Sequence, residues 1–150
     1  MRLFSTLLIS FFCLAIFLST ACERQKSEQE KMYTIVMDIH DNVMPEMSTI
    51  HRLRKQLKGI DTSLVKTPSY PTILTHLNAL EKADEGMMSW MAEFSNPTTD
   101  TDEVTALAYL KNEKERIIKV RDQMLESIAS AKKILQEAKN TALVDSTSIK

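Results

Sequence analysis

Asp102–Lys139 reads DEVTALAYLKNEKERIIKVRDQMLESIASAKKILQEAK. Leu107, Leu110, Ile117, Met124, Ile128, Ala131, Leu135 and Ala138 recur at steps that fit alternating threes and fours. That is the heptad spacing of a helix burying one long seam. Lys114 and Arg121 occupy two positions of the same seam. At 1.5 Å per residue the segment predicts a helix about 57 Å long. Asp100, Asp102 and Glu103 suit the positive end of its dipole, and Lys132, Lys133 and Lys139 the negative end. A helix with one apolar seam needs partners to cover it.

Two further stretches supply them. The first opens with the capping-box pattern Ser27-x-x-Glu30 and runs to Leu57 or Lys58, where Gly59 marks a stop. Val36, Ile39, Val43, Ile50, Leu53 and Leu57 form its stripe, with Glu46 or Met47 filling the remaining step. Pro45 removes a backbone donor and crowds the carbonyl of Asp41, so it predicts a kink, with a full break as the alternative. The second stretch begins near Pro71 and ends near Phe94, with Ile73, Leu77, Leu80, Met87, Met91 and Phe94 on one face. Gly86 lowers its helix propensity by about 1 kcal/mol relative to Ala. Thr67-Pro68-Ser69 and Asn96-Pro97-Thr98-Thr99 mark the loops. The fold expected is all-α: an up-down-up antiparallel, coiled-coil-like three-helix bundle, kinked at Pro45.

Composition agrees. Two glycines and four prolines in 150 residues are too few for the turns of a β-sandwich. With 19 Lys+Arg against 20 Asp+Glu there is no basic footprint, so no nucleic-acid partner is expected. Two cysteines make no disulfide scaffold.

The amino terminus is different in kind. Arg2 precedes an apolar run from Leu3 to Leu18, too short for a spanning helix and ending in small residues. It reads as a signal peptide over residues 1–21. Leu18-Ser19-Thr20-Ala21-Cys22 resembles the lipobox of bacterial lipoproteins, with Ser19 where that family most often has Leu. The resemblance implies cleavage before Cys22 and lipidation of that residue, hence a membrane partner through the anchor. An ordinary secretory signal would be cut at the same bond but would leave an odd thiol. Glu23, in place of Asp after the cysteine, is compatible with an outer-membrane or periplasmic-face location. Residues 22–30 are expected to be a flexible tether, 31–140 the bundle and 141–150 a disordered tail.

No catalytic motif is present, so an enzyme is not expected. Asp84 on the apolar side of its helix, with Lys114 and Arg121, suggests either a buried ion pair or a stripe whose edge reaches water. Methionine is the unusual feature. Met37, His40, Met44, Met47 and His51 draw one stripe, and Met87, Met88 and Met91 crowd Trp90, with His76 further up the helix. Thioether and imidazole suit Cu(I), which makes Met37, His40, Met44, Met47, Met87, Met88 and Met91 a candidate copper site. Methionine packing against aromatic rings is the other account, and the expectation chosen is packing with no cofactor.

Ile39–Met47 (IHDNVMPEM) and Gly86–Phe94 (GMMSWMAEF), with the SIASA stretch at residues 127–131, resemble short bacterial lipoproteins that commonly carry the label "viral A-type inclusion protein". The resemblance spans most of residues 32–131. It implies a lipoprotein and carries over no catalytic or binding residue. The function expected is a lipid-anchored envelope bundle that binds or supports a protein partner, and the alternative is a periplasmic copper binder.

Overall fold

The computed structural model describes residues 27–61 and 68–147. Among them every regular element is helical: α1 (Glu28–Val43), α2 (Glu46–Lys58), α3 (Tyr70–Glu93) and α4 (Glu103–Thr147). The signal peptide, the lipobox with Cys22 and the start of the tether lie outside the described residues. Three segments pack together, the first being α1 and α2 in line. Both of these lie against α4, as does α3, and α2 also lies against α3.

The local signals account for the helix ends. Ser27 Oγ accepts the Glu30 N–H at 3.1 Å while the Ser27 N–H donates to Glu30 Oε2 at 3.2 Å, closing a capping box. Residues 27–30, expected in the tether, are therefore the cap and first turn of α1. The Thr105 N–H donates to Asp102 Oδ1 at 3.0 Å at the head of α4. The Thr105 hydroxyl, with that N–H second, holds the Asp102 carboxyl below its ordinary range. Gly59 ends α2 with φ −85°, so the stop does not use the left-handed freedom of glycine. Helix α4 continues past the expected limit at Asn140 to Thr147.

At Met44 and Pro45 the first segment divides into α1 and α2. Met44 (φ −53°, ψ −37°) and Pro45 (φ −58°, ψ −24°) keep helical dihedrals. The Met44 N–H still reaches His40 O at 2.8 Å, and the Met47 N–H bonds Met44 O in a tighter turn. The stripe therefore keeps its phase from Val43 to Met47, both buried. Pro45→Ala should stay within about 1 kcal/mol of wild type in urea unfolding, because a recovered backbone donor opposes a looser unfolded chain. A loss above about 2 kcal/mol would show that the bend is needed to dock the segment.

The core runs the length of the bundle: Val36, Ile50, Leu53 and Leu57 from the first segment, Leu80, Met87 and Trp90 from α3, and Ile117, Met124 and Ala131 from α4. Each fully buried large side chain contributes roughly 1.5–3 kcal/mol.

The seam of α4 corrects the heptad expected from sequence. Leu110, Ile117, Met124, Ala131 and Ala138 are buried as anticipated. The other buried positions are Ala106, Glu113, Ser127, Ile128 and Ile134, with Val120 packed alongside. Lys114 and Arg121 are only half-buried and do not interrupt the seam. Toward the C-terminal end Ile128 lies in the core and Leu135 packs against it, as anticipated.

Candidate functional site

A ladder of rings crosses one end of the bundle. Tyr33 stacks on Phe94 at 6.2 Å, Phe94 on Trp90 at 4.9 Å, and Trp90 on His40 at 5.4 Å. Phe94 also meets Tyr109 at 6.3 Å, and the Tyr109 hydroxyl accepts the Ser95 N–H at 2.9 Å. Helical spacing makes the ladder: Trp90 and Phe94 are one turn apart on α3, and Tyr33 and His40 two turns apart on α1.

Beside the ladder lies a buried carboxylate. Glu113 is 1% exposed and receives Arg116 Nη1 on Oε1 at 2.9 Å. Arg116, half-exposed, bridges to Glu93 on α3 through its other terminal nitrogen. The hydrogen bond that Arg116 donates to Glu113, offset by partial burial and aided by Glu93, holds its guanidinium above its ordinary range. The Ser89 hydroxyl and then Arg116 hold the Glu93 carboxyl below its own. Sequence reading missed Glu113. The available signal was the Glu113-x-x-Arg116 spacing, which puts an acid and its partner on one helix face.

Asp84 is tied to the first segment instead of to α4. Its carboxylate meets His51 Nε2 at 3.1 Å and Arg54 Nη1 at 3.6 Å, and Arg54 also meets Glu81 at 2.7 Å. The Asp84 side chain is 20% exposed. The group is thus a rim ion cluster joining α2 to α3.

The methionine stripe divides between inside and outside. Met47 and Met87 are buried, Met44 and Met91 pack on the core, Met37 is half-buried, and Met88 is 54% exposed. His40 turns onto Trp90. Met88→Leu should therefore leave stability within about 0.5 kcal/mol, and Met87→Leu should cost under about 1.5 kcal/mol in urea unfolding.

Among the described residues, grooves flank the bundle. One, about 570 Å³, lies by Tyr33, Asn96 and Pro97. Another, about 330 Å³, runs between α3 and α4 past His76, Lys82, Gln123 and Ser130. Ser130 Oγ lies 2.9 Å from His76 Nδ1. The contact joins α3 to α4 side chain to side chain.

The chain matches no family model, no curated protein and no solved structure.

Proposed function

We propose that the protein is a lipid-anchored helical bundle of the bacterial cell envelope, serving as a non-enzymatic module that binds or supports a protein partner. Its three segments run up, down and up. The observation that carries the anchor is the apolar run closing on Leu18-Ser19-Thr20-Ala21-Cys22, with the likeness to short bacterial lipoproteins beside it. No helix of the described residues is long and apolar enough to cross a membrane, so a lipid on Cys22 would supply the attachment. Five residue steps separate Cys22 from the Ser27 cap, a reach of at most about 18 Å. A lipid there would hold the aromatic-ladder end of the bundle near the bilayer, with the far end of α4 pointing away.

Support for the up-down-up course comes from the order of contacts. Tyr33, His40, His51 and Arg54 meet Phe94, Trp90, Asp84 and Glu81, so numbers rise on one segment as they fall on the other. Phe94, Glu93 and His76 meet Tyr109, Arg116 and Ser130 in the same opposed sense.

Cys22→Ser should move the protein from the membrane to the soluble fraction. The wild-type amino-terminal peptide should carry acyl mass. Unchanged fractionation of the variant, together with an unacylated wild-type peptide, would overturn the anchor.

A further inference from the structure

Each of the three packed segments buries one polar atom that has no hydrogen-bonding partner within the protein: His40 Nε2 from α1, Trp90 Nε1 from α3 and Glu113 Oε2 from α4. The three belong to one layer. His40 stacks directly on Trp90. From the Phe94–Tyr109 contact, one turn back along α3 reaches Trp90 and one turn forward along α4 reaches Glu113. The Glu93–Arg116–Glu113 bridge spans α3 and α4 at the same level.

The donor and acceptor inventory is lopsided. An indole N–H only donates, and an ionised carboxylate only accepts. His40 Nδ1 lies 2.8 Å from Asp41 Oδ1, which only accepts, so in the singly protonated ring the proton sits on Nδ1 and Nε2 is an acceptor. One donor therefore faces two acceptors, and no pairing among the three satisfies them all. A water molecule has the complementary set, accepting from Trp90 while donating to Glu113 and His40. Three bonds are what an internal water ordinarily makes to buried polar groups.

We propose that His40, Trp90 and Glu113 form the binding site of one internal water, which pins the three segments in a single register. Arg116 occupies one oxygen of Glu113 and the water the other, so neither oxygen is left without a partner. A segment slipped by one turn would lose its place in the three-way match, as with a lone buried polar residue in a coiled coil.

Trp90 is the only tryptophan in the chain, so nitrogen-labelled protein gives one indole N–H resonance. Water-selective cross-relaxation is recorded on that resonance for the full chain in detergent. Cross-peaks of opposite sign in the laboratory-frame and rotating-frame experiments are expected, the mark of a long-lived water near the indole. Glu113→Leu should weaken the cross-peak several-fold, and His40→Phe, which keeps the stacking, should weaken it as well. If Glu113→Leu does not fold, the wild-type and His40→Phe spectra decide. A cross-peak of equal sign in both experiments reports exchange with bulk solvent and overturns the proposal. So does a missing cross-peak, a direct Trp90–Glu113 hydrogen bond, or no change in the folded variants.

Discussion

Trp90→Ala is expected to destabilise the bundle by about 3–5 kcal/mol, the largest effect of any single truncation in this core. The indole is 2% exposed and stacked between His40 and Phe94, so its loss opens a cavity where α1 meets α3. Each ring contact adds roughly 0.5–1.5 kcal/mol beyond the buried area. Urea unfolding followed by circular dichroism measures the change, since the variant has no tryptophan left to report. A loss below about 1.5 kcal/mol would mean that the surrounding side chains collapse into the space. Trp90 would then not be the keystone of the ladder.

Arg116→Ala is the second large effect. The substitution leaves the Glu113 carboxylate buried with its main cation removed, and Glu93 unpaired at the rim. Breaking a fully buried pair typically costs about 3–5 kcal/mol, but Arg116 is half-exposed and water can reach its place, so about 2–3 kcal/mol is expected. The double variant Glu113→Leu/Arg116→Leu should recover part of that loss, because the stranded charge is gone while Trp90 and His40 lose the third partner of their shared water. A double-mutant cycle in urea separates the terms. If the double variant is as unstable as Arg116→Ala, the cost lies in packing and not in the stranded charge.

Much of the molecule was legible in the sequence, and the failures share a cause. Ser27-x-x-Glu30 closes as a capping box, as its spacing implies, while the structure chooses Met47 over Glu46 for the open step of the first stripe and makes Asp102, read as a dipole partner, a hydrogen-bonding cap of α4. The candidate copper residues fared differently. Met87 and Met88 are adjacent in sequence, yet Met87 is buried and Met88 exposed, because neighbours on a helix point about 100° apart and only one can face the core.

The sequence by itself determined where helices begin, where the first one bends and that three segments must share one core. Caps, prolines and apolar periodicity act over four residues or fewer, so they are complete before any other segment arrives. It also holds the whole case for an anchor at Cys22, which lies outside the described residues. Tertiary structure decided which flank of the Leu110–Ala138 row turns inward. From sequence, Lys114 and Glu113 compete for the same seam. Packing against two helices at once selects Glu113, whose charge Arg116 can meet on its own helix face while Arg116 also reaches Glu93 on α3. Burying a charge depends on what stands opposite it, and nothing within four residues of Glu113 specifies what α1 and α3 bring there.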